Sequence, residues 1–377
     1  MLGFLKSLVS MDTDSTLSKN YSECASLIAK EAESLGFKAR ICDAAETGNR
    51  KPRTLPPRPN VLVKLDAGAE KTLLINAHYD IVPAGQGWKT DPFALTIKGD
   101  RAYGRGTSDD KGGIAASLYA LEGAKPKVNV LLAYTCDEEV GGEFGLGFLV
   151  KEGLAKADAA LILDGSPAAT VASTGVVMGR LHFKGKGGHA MKPYEADNPV
   201  PKLITFLNEL KSYSYVRQNS VSPYFGLNKR QLFGRFSLTT LKGSTKENAI
   251  PDEAVAGFDL RIDPEEKMES VVEEFRQYVK MAGKKTGISP ELEILSAHGG
   301  HRSGGRFVEK MKSLTNTDGN YANWGGNDGH HVSGKMETVV FGATRSANSI
   351  HAPDEFVSIK ELEYVKNVAK QIMEQGW

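Results

Sequence analysis

Three acidic clusters stand at the edges of apolar runs in this chain, and one of them contains a histidine. His78-Tyr79-Asp80 follows Thr72-Leu73-Leu74-Ile75-Asn76-Ala77. Asp109-Asp110-Lys111-Gly112-Gly113 opens a helical pattern, and Asp137-Glu138-Glu139 follows the apolar run Val128–Tyr134. Apolar strands ordinarily turn around on Gly, Asn or Pro, so strand ends rich in His, Asp and Glu need another reason. Metal-dependent hydrolysis supplies one: it uses oxygen ligands, imidazole nitrogen and a spare carboxylate for proton transfer.

Each residue also has a plainer reading. His78 and Asp80 lie two apart and so point to the same side of a strand end. Alone they read as a surface histidine beside a turn aspartate. Within the set, His78 reads as a metal ligand and Asp80 as the carboxylate that orients its ring. Asp109 and Asp110 start a helix, where capping explains one of them. Gly112 and Gly113 let a backbone approach closely and suggest that something sits at this helix start. Asp109 has lone pairs enough to bridge two metals. Glu138 and Glu139 are adjacent and point differently, so one can bind metal while the other serves as general base. Asp164 follows Leu161-Ile162-Leu163 and reads as a turn residue or a ligand. His351, in Ser349–Glu355, gains its value by completing a ligand count. His298, His301, His330 and His331 form weaker candidate pairs, with Asp328 as the one nearby carboxylate. His189, in Gly185–Ala190, reads as a turn histidine or as a donor to a developing oxyanion.

The elements that must position these residues follow from pattern. The chain has 377 residues, which predicts two domains. Residues 15–36 carry a helical recurrence, Leu17, Tyr21, Ala25, Ile28, Ala29, that Gly36 stops. Strands are expected near Asn60–Leu65, Thr72–Ala77, Val128–Tyr134 and Ala159–Leu163, with a helix from residue 111. Alternating strands and helices predict an α/β layer fold whose ligands sit beyond the carboxyl ends of the strands. The pattern changes near residue 174. Strands at Val176–Lys184, Arg235–Leu241 and Ala254–Ile262 and helices at Pro199–Tyr213 and Met268–Ala282 read as an inserted, smaller α+β domain. The expected organisation is thus 1–173 and 297–377 for a catalytic domain in two parts and 174–296 for the insertion. The proline-rich run 51–60 is expected to be a loop.

Composition excludes several classes. A net charge of +1 favours neither nucleic acid nor an anionic membrane surface. No apolar run approaches a membrane span. The first residues, Met1–Asp14, read as a helix and not as a signal peptide. Cys24, Cys42 and Cys136 are scattered, which predicts a reducing cytoplasm and argues against a thiolate metal site.

The stretches NAHYDIVP, YGRGTSDDKGG, TCDEEVGG, GKGGHA, ENAIPDEAVAGFDLR and SIHAPDE, in that order, resemble those of the di-zinc peptidases and deacylases. That family includes acetylornithine deacetylase, succinyl-diaminopimelate desuccinylase, aminoacylase and glutamate carboxypeptidase. The resemblance spans residues 76 to 355. It implies a mixed-sheet zinc-peptidase catalytic domain with a ferredoxin-like lid and dimerisation domain. It implies two Zn²⁺, for which Co²⁺ or Mn²⁺ can substitute: one held by His78, Asp109 and Asp164, the other by Asp109, Glu139 and His351, with a cis Asp109–Asp110 peptide. Glu138 would be the general base, Asp80 would orient His78, and His189 would reach into a partner subunit's site. Asn248 and Arg261 would contact substrate, with Gly325, Gly326 and Asn327 in a substrate loop. Asn327-Asp328 departs from the more usual Thr-Asp or Thr-Glu there and leaves side-chain specificity open. The implied reaction is hydrolysis of an N-acyl amino acid by a homodimer. A dipeptidase or carboxypeptidase is the alternative within the family, and a catalytically inactive binding protein is the alternative outside it. The intact Glu138 argues against the last.

Overall fold

The computed structural model describes residues 1–45, 56–244 and 246–377. These fall into two compact units. One comprises Met1–Ala172, Arg302–Tyr321 and Asn327–Trp377; the other comprises Ser173–His301 and Ala322–Gly326.

The first unit is a mixed sheet with helices. Six of its strands hydrogen-bond in the order Ala39–Asp43, Pro59–Leu65, Asn129–Thr135, Thr72–His78, Ala159–Ile162, Glu337–Val340, and the sheet continues beyond the last of them. The last four of these strands run parallel to one another, and the first two are antiparallel additions at one edge. The parallel strands are near-continuous apolar runs, as strands buried on both faces must be. Leu73, Leu74, Ile75, Leu132, Ala160, Leu161 and Val340 are all inaccessible or nearly so. Because the four share one direction, their carboxyl ends meet along a single rim.

Helix Lys111–Ala120 is buried at every position but Tyr119, which explains its all-round apolar sequence. The helical recurrence expected from residue 15 begins later, at Tyr21, and ends at Ser34. Asp14 is the reason: its carboxylate accepts the backbone N–H and hydroxyl of Thr16, and Asn20 then turns left-handed at φ 54°. Leu17 is therefore 69% exposed rather than on a core face. Leu2–Val9 forms a separate helix. Of the proline-rich run, residues 51–55 lie outside the described residues, and Pro59 already belongs to a strand.

The second unit has the chain order strand, helix, strand, strand, helix, strand. The four strands form an antiparallel sheet in the order Arg235–Lys242, Glu253–Ile262, Gly175–Lys184, Glu291–His298, the ferredoxin-like split β-α-β arrangement. Gly175–Lys184 alternates strictly: Val177, Leu181 and Phe183 face the core, and Met178, Arg180 and Lys184 face out. Helices Pro199–Leu210 and Met268–Thr286 cover the inner face through Leu203, Phe206, Val271 and Phe275. Glycines 325 and 326, expected in the catalytic domain's second part, cluster with this unit.

Candidate metal centre

Three neighbouring parallel strands deliver the acidic residues. His78 pairs in register with Thr135, so Asp137-Glu138-Glu139 begins two residues past the His78 level. Asn76 pairs with Ile162, which brings Asp164 to the same rim. The Asn76 side chain ties its strand to Asn129–Thr135, donating to the Ala133 carbonyl at 3.1 Å and the Thr135 hydroxyl at 3.0 Å.

Asp109 is the centre of the arrangement. Its Oδ1 lies 3.0 Å from Nε2 of His78, and its Oδ2 lies 3.2 Å from Nε2 of His351. The same His351 nitrogen is 3.2 Å from Oε1 of Glu139. Two trios of donor atoms result, His78–Asp109–Asp164 and Asp109–Glu139–His351, each with all atoms within 4.8 Å of one another. Among the described residues these are the two such groups of three, and His298, His301, His330 and His331 belong to neither. The Asp109–Asp110 peptide is cis.

Asp80 meets both the His78 ring and the turn that carries Glu138 and Glu139. Nδ1 of His78 bonds to the Asp80 backbone carbonyl at 3.0 Å, while the Asp80 carboxylate is farther, at 3.5 Å. That fully buried carboxylate also accepts the backbone N–H groups of Glu138 and Glu139, each at 3.2 Å. Asp80 therefore fixes the short 3₁₀ turn Glu138–Val140 from its start. At the turn's other end, Nε2–H of His331 donates to the Gly141 carbonyl at 3.1 Å. Behind the turn, Asp137 is left-handed at φ 64° and its carboxylate takes the Tyr21 hydroxyl at 2.9 Å and Nε–H of Arg58.

The glycines after Asp110 answer to the chain itself. A Cβ on Gly112 would fall 2.3 Å from the Thr107 carbonyl oxygen, and one on Gly113 would fall 2.2 Å from the Asp110 carboxylate. They let the helix start pack on the loop that carries Asp109. The capping reading is not met either, since Asp110 stands at N-cap without a side-chain capping bond.

Electrostatics follow from crowding. Burial pushes the Asp164 and Glu138 carboxyls well above the usual carboxylate range, and neighbouring Asp109, for Asp164, and Asp164 and Asp328, for Glu138, push further. Burial and then Asp109 raise Glu139. Asp109 goes the other way: burial opposes its charge, but bonds to His351 and His78 hold it below its ordinary value. Bonds to Asp109 and Glu139 raise His351 to about 10. The donor set fits divalent cations. It offers imidazole nitrogens and carboxylate oxygens, an excess of buried negative charge, and one carboxylate with a separate imidazole at each oxygen.

The remaining expected residues belong to neither trio. His189 and Asn248 are neighbours in the second unit: strands Gly188–His189 and Ala249–Ile250 pair, and the Asn248 carbonyl accepts the Ala190 N–H at 2.9 Å. The exposed His189 ring accepts the Met191 N–H on Nδ1 at 3.1 Å. Arg261 is engaged bidentately with Asp259 at 2.8 and 2.9 Å. Asn327 is buried in the first unit, its Oδ1 accepting the Gly329 N–H at 2.9 Å. Buried Asp328 takes the Thr135 hydroxyl at 3.3 Å, and burial raises its carboxyl to about 7. Sequence reasoning gave no role of their own to Glu355, Arg105 and Asp137, all of which are buried. Their burial is the telling property, and residue spacing does not report it.

Comparison with known proteins agrees with this chemistry. Residues 74–375 match the model of peptidase family M20/M25/M40. An uncharacterized metallohydrolase of Methanocaldococcus jannaschii is 28% identical over 84% of each chain. A succinyl-diaminopimelate desuccinylase of Gluconobacter oxydans is 30% identical, also over 84% of each chain. The solved structure of an M20 family metallo-carboxypeptidase from Sulfolobus solfataricus superposes with a TM-score of 0.80 at 21% identity, covering 99% of this chain and 98% of that one.

Proposed function

This chain belongs to peptidase family M20/M25/M40 and is a metal-dependent hydrolase of amide or peptide bonds, and we propose that it cleaves an N-acyl amino acid at a two-zinc site. The observation that supports the site most is Asp109, whose two oxygens face two different imidazoles at 3.0 and 3.2 Å. A single carboxylate so placed suits a bridge between two cations. On this reading His78, Asp109 and Asp164 would hold one zinc, and Asp109, Glu139 and His351 would hold the other.

Two cations there would polarise the scissile carbonyl and acidify a water, from a pKa of about 16 to about 7. The chain's own residues do the rest. Glu138 belongs to neither trio and stays free to take a proton from that water and hand it to the leaving amine. Asp80 keeps Glu138 and Glu139 in fixed relation by holding both of their backbone N–H groups. His78 is oriented by its Nδ1 contact to the Asp80 carbonyl.

The second unit is assigned as lid and dimerisation domain. Arg261 and Asn248 are assigned to the substrate, Arg261 to its carboxylate, with Gly325, Gly326 and Asn327 in the loop around it. His189 is assigned to the tetrahedral intermediate in a partner subunit's site. Inactive His189→Ala mixed with inactive Glu138→Ala should then recover part of the activity through heterodimers. No recovery despite proven subunit exchange would remove the role in trans. The three cysteines are free and buried, which suits a reducing cytoplasm. Among the described residues no helix is long and apolar enough to cross a membrane.

The test is zinc content followed by a panel of N-acetyl and N-succinyl amino acids and dipeptides. Turnover of the acyl compounds with two zinc ions per chain is expected. Preference for dipeptides would favour a peptidase, and no hydrolysis with both metals bound would sink the enzyme reading.

A further inference from the structure

Glu355 stands four residues after His351, is 1% exposed, and belongs to neither donor trio. Its carboxylate collects the loop that leads to Asp109. Oε1 accepts the backbone N–H of Ser108 at 2.9 Å and of Asp109 at 3.3 Å. Oε2 accepts the backbone N–H of Gly106 at 3.0 Å and Nη1–H of Arg105 at 2.7 Å. The Glu355 carbonyl in turn accepts the Gly104 N–H at 3.0 Å.

Arg105 extends the connection to a third segment. It is 1% exposed, and its Nη2 donates to the carbonyls of Pro83 and Ala84 at 3.4 and 3.3 Å, just past His78-Tyr79-Asp80. Its guanidinium lies over the Trp88 ring at 5.2 Å from the centroid. Strands Arg101–Tyr103 and Phe356–Ser358 pair antiparallel, with Phe356 opposite Tyr103, and hold the two loops side by side. One buried ion pair therefore joins the segments that carry His78, Asp109 and His351.

The loop between His351 and Glu355 needs such an anchor. Ser349, His351 and Asp354 all have left-handed backbones, with φ of 56°, 60° and 60°. Side-chain-bearing residues occupy that region at a cost and stay there only when their surroundings hold them.

We propose that Glu355, with Arg105, is a positioning residue that sets the Asp109 carboxylate at its distance from His351 and His78. The inference rests on the two-zinc reading above. Charge is essential to it, because Glu355 offers acceptors only, to four N–H donors. A glutamine would turn an NH₂ toward some of those donors and leave them unpaired. Residues that hold metal ligands in place typically contribute about 10–100-fold in metal affinity.

The test is a calorimetric titration of the chelated full-length chain with Zn²⁺, for wild type, Glu355→Gln and Arg105→Lys. Wild type is expected to take two ions. Glu355→Gln is expected to bind at least one of them about 10–100-fold more weakly, and Arg105→Lys to follow in the same direction. Raising Zn²⁺ should restore kcat in both variants without changing KM, a rescue that a purely structural contact would not give. A wild type that binds no zinc overturns the metal reading and this inference with it. A wild type that binds two, with folded variants that bind them as tightly, overturns the positioning role alone. Failure of both variants to fold would make the pair a fold determinant and overturn the role as well.

Discussion

Glu138→Gln should keep both zinc ions and lose roughly 10³–10⁴-fold in kcat, with KM little changed. Retention of metal follows from geometry: the trios use His78, Asp109, Asp164, Glu139 and His351, and Glu138 contributes to neither. Glutamine keeps the side chain's size, and the backbone bond from residue 138 to Asp80 at 3.2 Å is untouched. What disappears is the carboxylate that accepts a proton from water and returns it to the amine. Both proton transfers pass through the same group, so the loss should be near the top of the range for general acid–base catalysis. Substrate carboxylate and acyl contacts lie elsewhere on this reading, hence the constant KM. Zinc analysis and steady-state kinetics on the same preparation decide it. Turnover within tenfold of wild type would remove Glu138 as the base. Loss of zinc together with turnover would instead make Glu138 part of the ligand set.

Some of this was legible in the sequence, for reasons that differ by residue. His78, Glu138, Glu139 and Asp164 stand at or just past apolar runs, and a parallel sheet gathers such ends by construction. The second unit differs in pattern, because Gly175–Lys184 alternates while the parallel strands of the first unit do not. Asp80 was legible as important but not in its full role, since its carboxylate reaches the turn 58 residues on. Glu355 and Arg105, 250 residues apart, were not legible as a pair. Gly112 and Gly113 were misread for a related reason. Their close neighbours are Thr107 and Asp110 of the same chain, and a glycine pair looks alike whether chain or ligand lies against it. The late helix start at Tyr21 escaped because Asp14's local bonds to Thr16 win over a helical recurrence that includes Leu17.

The other large effect expected is from Asp109→Asn, which should bind neither zinc tightly and should have no measurable turnover. Both trios include Asp109, and asparagine offers one neutral oxygen where two charged ones face two imidazoles. Chelating the wild type tests the same site through stability. Glu138, Glu139 and Asp164 have carboxyls raised by burial, so each contributes stability below the ordinary carboxylate range, near about 4, and loses it as pH rises through the raised value. Asp328, raised to about 7, does the same across neutrality. His351, raised to about 10, keeps its contribution below about 6.5 and loses it toward its folded value, which adds in the same direction. Asp109, held low, loses its contribution only in acid and does not enter this window. The chelated chain should therefore weaken between pH 5 and pH 8, whereas in the loaded chain two cations would offset the crowded carboxylates. Zinc at a thousandfold over its dissociation constant adds about 4 kcal/mol per site, and protons compete with it at the acidic end. The gap in melting temperature between zinc-loaded and chelated wild type should thus widen from pH 5 to pH 8, and in Asp109→Asn it should nearly vanish at both. A gap that stays constant with pH, or an Asp109→Asn chain that binds two zinc ions, would contradict a cation site built on this carboxylate.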